Sequence, residues 1–273
     1  AYTRRLAEKW YNDPLVKIIV EPHSLYTCSR PLLQKAKIIA DEFGLMLGIH
    51  LLENQQEHDQ LLEKHGKSAV AFLDDIGCLD EKLLAFHCVY LTLDDIHRFA
   101  KHGCKVSHNP ASNMKLGNGI PPITDMLEAG ITVGLGTDGC ASNNTLDMIK
   151  EMSTAAKLHK VAMLDPTVMD AKTAMRMATI NGAKALGMGH RVGSLETGKK
   201  ADIILIGLNK PHLTPMYNAW SHMVYAAGGA DVDTVIINGK VVMENRRLLT
   251  IAEEDVMNEV RKIAVGVKKS MNM

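Results

Sequence analysis

Near the middle of the chain stands Gly134-Leu135-Gly136-Thr137-Asp138-Gly139, between an apolar run at 131–133 and a helix-like segment. Aspartate is unfavourable inside a strand, and the neighbouring glycines let another group approach the backbone closely. The same pattern is also compatible with a turn-forming Asp before Gly. Asp138 is therefore a candidate for contact with a metal, a water molecule or a substrate.

Two earlier apolar runs end in a similar way, each on a histidine. The first, 45–49, leads to His50, and the second, 83–86, leads to His87. In a parallel α/β barrel the strand ends converge at one face and carry the chemistry. The sequence therefore predicts that the two histidines and Asp138 lie together at one edge of a parallel sheet.

The order of elements along the chain favours the α/β class. Predicted strands alternate with predicted helices five times, which is the pattern of consecutive βαβ units. The strands are predicted at 15–20, 45–50, 82–87, 104–107 and in the run before Asp138. The turn formers of 108–119 predict a loop. Because a closed barrel needs eight such units, we expect an incomplete TIM-like barrel that forms the C-terminal part of something longer.

After Gly193 the regular alternation of predicted strands and helices ends. The predicted strand at 201–206 has no helix after it, and 234–242 predicts a hairpin around an Asn-Gly turn. A polar helix is predicted at 253–269. We therefore expect three parts: a barrel portion at 1–193, a small β-module at 194–250 and a C-terminal helix at 251–273.

Bulk composition excludes several classes of protein. The 273 residues include 31 Lys+Arg and 31 Asp+Glu, so no net field favours nucleic acid or an anionic membrane. No apolar run approaches the roughly 20 residues that a membrane span requires. The five cysteines are scattered, odd in number and without a Cys-x-x-Cys pair. These features predict a cytoplasmic protein with reduced thiols, without nucleic-acid or membrane partners.

The step His50-Leu51-Leu52-Glu53 has the spacing of a metal site with a nearby proton carrier. Imidazole is a good ligand for zinc and similar divalent metals, and Glu53 can sit beside the metal as a proton shuttle. A buried, hydrogen-bonded histidine and a surface glutamate are the alternative. His87 is a ligand, a water-orienting group or a core histidine, and Cys88, on the opposite face of the strand, is expected to pack in the core.

The remaining histidines carry weaker signals. His23 ends the first predicted strand and faces the same rim, which suits substrate contact. Asn143-Asn144 is expected to begin the helix that follows Asp138 as its cap. Five histidines in helical or polar surroundings are expected at the surface: His58, His65, His97, His102 and His159. Together the candidate residues indicate metal-assisted hydrolysis by an activated water, with zinc as the default metal and iron, manganese or nickel compatible with the same ligands.

Several motifs occur in a fixed order along the chain: Glu21-Pro22-His23-Ser24, His50-x-x-Glu53, His87-Cys88-Val89, Ser107-His108-Asn109-Pro110-Ala111-Ser112-Asn113, Leu135-Gly136-Thr137-Asp138-Gly139 with Ser142-Asn143-Asn144, and the tail 193–202. In these motifs the sequence resembles the amidohydrolase superfamily, and most closely its branch of 5-methylthioadenosine/S-adenosylhomocysteine deaminases and related chlorohydrolases. The resemblance implies strands four to eight of a (β/α)8 barrel and the C-terminal part of a small β-sandwich.

The resemblance also implies a role for each candidate residue. His50 would bind the metal, and Asp138 would bind it and take the proton of the attacking water. His87 would orient that water, and Glu53 would protonate the ring nitrogen of the substrate. His23 would contact the substrate. The implied reaction is water attack on the amino-bearing carbon of an adenine ring, with release of ammonia from a small-molecule nucleoside.

The sequence departs from the family pattern in several features, since it lacks the first three barrel strands, the N-terminal half of the sandwich and the arginines that recognise the substrate's carboxylate. The family's His-x-His metal motif is absent, since no His-x-His pair occurs in these 273 residues. We therefore expect a fragment or truncated product that by itself binds metal weakly. Two alternatives within the enzyme class are a guanine, pterin or other heterocycle deaminase and a triazine-type chlorohydrolase. A third is an inactive barrel remnant whose open edge makes it an association module or homo-oligomer.

Overall fold

The computed structural model describes residues 2–271. Within them, the strands are Ile19–Val20 (β1), Met46–Leu51 (β2), Leu83–His87 (β3), Lys105–His108 (β4), Thr132–Leu135 (β5), Ile203–Ile206 (β6), Val232–Ile237 (β7), Lys240–Glu244 (β8) and Arg247–Leu248 (β9). They form two sheets. The first is parallel throughout, in the order β1-β2-β3-β4-β5. The second is antiparallel, in the order β6-β7-β8-β9.

Helices connect the strands of the parallel sheet and follow the antiparallel one. The α-helices are Tyr2–Trp10 (α1), Arg30–Glu42 (α2), Gln55–His65 (α3), Ala69–Asp75 (α4), Leu93–His102 (α5), Pro110–Leu116 (α6), Ile123–Glu128 (α7), Cys140–Asn143 (α8), Met148–Met163 (α9), Ala171–Arg176 (α10), Gly182–Ala185 (α11), Ala219–Ser221 (α12) and Glu253–Ser270 (α13). A π-helical turn joins α10 to α11, and another follows α12. None of the helices in the described part of the chain combines the length and apolarity of a membrane span.

Local sequence explains where these helices begin and end, as α5 illustrates. The side chain of Thr92 accepts the backbone N–H of Asp95, and the Asp95 carboxylate accepts that of Thr92, which makes a complete capping box. The helix ends at Gly103, whose φ of 68° is costly for residues with a Cβ. Between these ends, Ile96 and Phe99 are buried in the core. The predicted start and stop of this helix are confirmed.

The register of the parallel sheet brings the strand ends to one level. Leu51 of β2 pairs with His87 of β3, and Leu135 of β5 pairs with His108 of β4. The interior of these strands is apolar and almost fully buried, including Leu47, Ile49 and Val133, among others. The α/β class and the five parallel strands predicted from the sequence are confirmed. Residues that follow the strands therefore meet at the carboxyl edge of the sheet.

Three segments differ from the sequence prediction. The first strand spans only β1, because the chain bends at Pro14 and Leu15 and residues 16–18 do not pair as a strand. The stretch 108–119, predicted as a loop, contains α6: Pro110 occupies its first turn, where proline is tolerated, and Gly117 ends it. The sequence did not predict this helix, because the Asn and Ser residues of α6 also favour turns. The β-module also contains helical turns between Ala219 and Ala226 that its strand pattern did not indicate.

Close packing of β5 against α11 gives a prediction for the parallel sheet. A Cβ added at Gly134 would lie 2.9 Å from the Cα of Gly182, and neither backbone can move aside cheaply. We expect Gly134→Ala to lower the free energy of unfolding by about 1–3 kcal/mol, the usual effect of overpacking. Gly139→Ala is the matched control, since its nearest atom would lie 4.0 Å away. Equal urea midpoints for the two variants would contradict this packing.

Candidate metal and catalytic site

Three side chains from three different strand ends converge at the carboxyl edge of the parallel sheet. His50, His87 and Asp138 each offer one ligand atom, and these atoms lie within 4.8 Å of one another. Among residues 2–271, this is the one group of three or more His, Cys, Asp and Glu side chains with that spacing. The structure thus brings together the three residues that the sequence placed at one edge.

His50 is oriented by the backbone of the neighbouring strand. Its Nδ1 lies 2.9 Å from the carbonyl oxygen of His23, and its backbone N–H donates to the same oxygen. A carbonyl can only accept, so Nδ1 carries a proton, and in the neutral ring it is Nε2 that has the lone pair. A hydrogen bond from the distal ring nitrogen to a carbonyl is the arrangement that fixes a metal-binding histidine. Nε2 of His50 is therefore available as a ligand atom.

His87 is held in a similar way by a side chain. Its Nδ1 lies 2.8 Å from Oδ1 of Asn113, an acceptor, so the proton again resides on Nδ1. The residue is 1% exposed and has a φ of 69°. A positive φ is uncommon outside glycine and marks backbone that its surroundings hold in place. The ring of His87 stacks with that of His50 at a centroid distance of 5.6 Å, so its Nε2 also reaches the site.

Asp138 stands on the loop that leaves β5, with a φ of 59°. The hydroxyls of Ser112 and Ser142 both donate to its Oδ2, each at 2.6 Å. Partial burial alone would raise the pKa of this carboxyl, but the two hydroxyls, together with the backbone N–H of Gly139 and the nearby His87, hold the pKa below its ordinary value. Asp138 is therefore ionised at neutral pH, and its Oδ1 takes neither serine bond.

Glu53 lies on the same edge and is held at both ends. Its backbone N–H donates to Oε2 of the buried Glu57 at 2.8 Å. Its side-chain Oε1 accepts the amide of Asn118 at 2.9 Å. Asn118 is fixed in turn, because its carbonyl accepts the hydroxyl of Tyr90. Glu53 is thus a half-buried carboxyl with a defined direction, which a proton carrier requires.

His23 occupies the rim of the site. Its side chain is exposed, and its ring lies 4.9 Å from that of His50. Its Nδ1 bonds the hydroxyl of Thr27 at 2.8 Å, with Ser24 nearby at 3.1 Å. An exposed imidazole beside His50 is placed to touch a molecule entering the site.

Three further outcomes concern Cys88, Asn143 and a group of residues for which the sequence predicted no role. Cys88 is fully buried, and burial raises the pKa of its thiol well above the ordinary value, as expected for a packing residue. Asn143 does not cap the long helix α9; Asp147 does, and Asn143 instead donates to the carbonyl of Thr137. The sequence assigned no role to the residues that orient the site. These are Ser112, Asn113, Asn118, Ser142 and Glu57, of which three lie in motifs quoted above.

His159 was expected at the surface and is 2% exposed. Helical periodicity placed it among polar neighbours, but it lies on the inner face of α9. Its Nε2 lies 3.0 Å from Nε2 of His108, which is also buried. Burial lowers the pKa of His159 to about 4 and that of His108 well below its ordinary value. The two rings therefore form a neutral buried pair beneath the site.

This pair gives a prediction for stability against pH. Because the folded protein disfavours a protonated His159, unfolding takes up a proton below pH 6.5. Stability should fall as the pH drops from about 6.5 to about 4, by roughly 3 kcal/mol from this residue. His159→Gln keeps a hydrogen-bonding group and does not titrate, so we expect a shallower loss. Urea unfolding at pH 7 and pH 4 compares the two proteins, and equal acid losses would contradict the prediction.

The geometry is suited to divalent metal chemistry. Two imidazole nitrogens and one ionised carboxylate match the donors that zinc and related metals take in catalytic sites. Three protein ligands leave a further position for water. Nε2 of His87 can equally accept a hydrogen bond from such a water. With Glu53 as a proton carrier beside them, the residues can support hydrolysis.

Several known proteins are similar to this chain in sequence and in fold. The profile of the amidohydrolase family matches residues 1–242. The 5-methylthioadenosine/S-adenosylhomocysteine deaminase 1 of Syntrophus aciditrophicus is 57% identical over 271 residues, which are 99% of this chain and 61% of the relative. The 5'-deoxyadenosine deaminase of Methanosarcina mazei is 48% identical over 94% of this chain and 59% of its own length. The chain thus spans about three-fifths of these relatives.

A solved structure agrees with this relationship. The crystal structure of an adenosine deaminase from Xanthomonas campestris with bound zinc superimposes with a TM-score of 0.96 at 35% identity. The match covers 98% of this chain and 61% of that one. The five parallel strands and their helices therefore correspond to part of a TIM-like barrel, as predicted. The chain belongs to the amidohydrolase family.

Proposed function

We propose that this protein takes part in metal-dependent hydrolytic deamination of an adenosine-like nucleoside, such as 5'-methylthioadenosine or S-adenosylhomocysteine. The observation that carries the proposal is the convergence of His50, His87 and Asp138 within 4.8 Å, with Glu53 on the same edge. The 57% identity to a 5-methylthioadenosine/S-adenosylhomocysteine deaminase supports the substrate class. In the balanced reaction, one nucleoside and one water give ammonia and a nucleoside whose purine carries an oxo group in place of the amino group.

The metal we propose is zinc, held by Nε2 of His50 and by Asp138. Iron, manganese and nickel are compatible with the same donors. A metal at this place supplies the positive charge that lowers the pKa of a water molecule. Bound zinc in the similar adenosine deaminase structure supports this assignment. The orientation of His50 by the carbonyl of His23 also supports it, because the ring offers Nε2 to the site.

The chain's own residues account for the proton transfers. Asp138 is ionised and accepts the proton of the attacking water through its carboxylate. His87 carries its proton on Nδ1, so its Nε2 accepts a hydrogen bond from that water and orients it. Glu53, fixed by Asn118, delivers a proton to the ring nitrogen next to the reacting carbon. Asp138 then gives the proton it took from the water to the amino group, which leaves as ammonia when the carbon–nitrogen bond breaks. The proton of the new hydroxyl group passes back to Glu53 as the oxo product forms.

The rest of the chain frames this site. His23 is proposed to contact the substrate from the rim. We propose that residues 1–193 form the barrel portion, 194–250 part of a β-sandwich and 251–273 a terminal helix. The five free cysteines support a reducing, cytoplasmic location.

The test is product release by the zinc-loaded chain. We expect ammonia from 5'-methylthioadenosine or S-adenosylhomocysteine, measured by a coupled assay together with the ultraviolet shift of the purine. Ammonia from guanine or pterin substrates alone would reject the adenosine-like class. Chloride from a chlorotriazine would point to a chlorohydrolase instead. If the chain neither bound zinc nor released product, the enzymatic proposal for this chain would be rejected and an association module would be favoured.

A further inference from the structure

Glu151 is a buried carboxylate that joins two loops of the site. It lies in the first turn of α9 and is 1% exposed. Its Oε1 accepts the side-chain amide of Asn143 at 2.7 Å, and its Oε2 accepts the backbone N–H of Ala111 at 3.3 Å. Ala111 follows β4 and Asn143 follows β5. One side chain therefore ties together the segments that leave two neighbouring strands.

Each of these segments carries a hydroxyl that bonds Asp138. Ser112 follows Ala111 directly, Ser142 precedes Asn143 directly, and both hydroxyls donate to Oδ2 of Asp138 at 2.6 Å. Asn143 also donates to the carbonyl of Thr137 at 2.7 Å, and so fixes the backbone immediately before Asp138. The two carboxylate oxygens of Glu151 thus fix the residues next to Ser112 and Ser142, whose hydroxyls orient Asp138.

A second link between the same loops is weaker. Lys115 donates to the carbonyl of Ala141 at 2.8 Å and to Oδ1 of Asn144 at 2.5 Å. Lys115 is exposed, so water competes for its bonds and its contribution is small. Glu151 is shielded from water, where a hydrogen bond to a charged acceptor is strong and its loss is costly. The buried link is therefore the stronger of the two constraints on the segments that carry Ser112 and Ser142.

We propose that Glu151 is a positioning residue for Asp138, acting through Ser112 and Ser142 to direct its carboxylate toward His50 and His87. The inference rests on the proposed function in taking Asp138 as a metal ligand. Glu151 itself touches none of the three converging groups by a hydrogen bond in the described part of the chain. Its effect on them passes through Ala111 and Asn143.

Zinc affinity of the purified chain, measured by competition with a chromophoric chelator, tests the inference. Glutamine fits the space of Glu151 but has one acceptor oxygen instead of two. We expect Glu151→Gln to weaken zinc binding by about tenfold or more, as for other residues that orient a ligand. Asp231→Asn is the matched control. Asp231 is also a buried carboxylate that accepts a backbone N–H, from Gly228, but it lies in the β-module.

The control separates positioning from general damage. We expect Asp231→Asn to lower the urea midpoint and to leave zinc affinity within about twofold of the unmodified chain. Equal losses of zinc affinity in the two variants would overturn the inference. So would an unchanged zinc affinity in Glu151→Gln.

A double-mutant cycle tests the route through the two serines. In a Ser112→Ala, Ser142→Ala background, we expect Glu151→Gln to weaken zinc binding by less than about threefold, because the donors it positions are gone. A full tenfold effect in that background would overturn the inference. The same cycle can be run without zinc by measuring urea midpoints. Glu151→Gln should then lower the urea midpoint less in the alanine background than in the unmodified chain. Equal decreases of the midpoint in the two backgrounds would overturn the inference.

The zinc-free cycle also separates this inference from the proposed function. If the unmodified chain bound no zinc, the proposed metal site would fail for this chain. The coupling of Glu151 to Ser112 and Ser142 would still be decided by the unfolding measurements alone.

Discussion

Asp138→Asn is expected to weaken zinc binding by the chain at least about a hundredfold, since residues that only orient a ligand already account for 10–100-fold. An amide has one acceptor oxygen, so it cannot both accept the hydroxyls of Ser112 and Ser142 and ligate a metal. It also lacks the negative charge. Asparagine tolerates the left-handed backbone of this position, where φ is 59°, so the fold should persist. Chelator competition measures the affinity.

Asp170→Asn is the control for this change. Asp170 is exposed and caps α10 by accepting the backbone N–H of Thr173 at 2.8 Å. Asparagine caps helices about as well as aspartate, so neither zinc affinity nor stability should change. Retention of full zinc affinity by Asp138→Asn would remove Asp138 from the ligand set and leave the convergence of the three groups unexplained.

Much of the fold was accessible from the sequence because its signals are local. Apolar runs ending on His50 and His87 predicted β2 and β3, and the Thr92 and Gly103 signals predicted the ends of α5. The helix α6 was missed because its Asn and Ser residues also favour turns. In that segment, packing of Ser112 and Asn113 into the interior decides in favour of the helix.

The candidate site was predicted only in its charged and imidazole groups. Those residue types stand out at strand ends, and the parallel topology brings the ends together. The hydroxyls and amides that orient them do not stand out, because Ser and Asn are common in any loop. Glu151 and His159 show the same limit. Each lies in a helix whose sequence is compatible with an exposed position, and only the tertiary packing of α9 buries them.

Glu53→Gln in the zinc-loaded chain is expected to lower kcat for ammonia release from 5'-methylthioadenosine by about 10²–10⁴-fold, the usual contribution of a general acid–base group. Glutamine keeps an oxygen that can accept the amide of Asn118, so the side chain should hold its direction. It cannot deliver a proton. Because the change affects the proton transfer and not the position of the site, KM should change far less than kcat. Initial rates over a range of nucleoside concentrations separate the two constants.

Glu63→Gln is the matched control, since Glu63 is exposed on α3, the helix that follows Glu53. It should retain full activity and full zinc content. Zinc content should also be unchanged in Glu53→Gln, because Glu53 is not among the three converging groups. A variant with normal zinc and a rate within tenfold of the unmodified chain would show that another group protonates the ring. Loss of zinc together with activity would instead place Glu53 in the metal site and not in proton transfer.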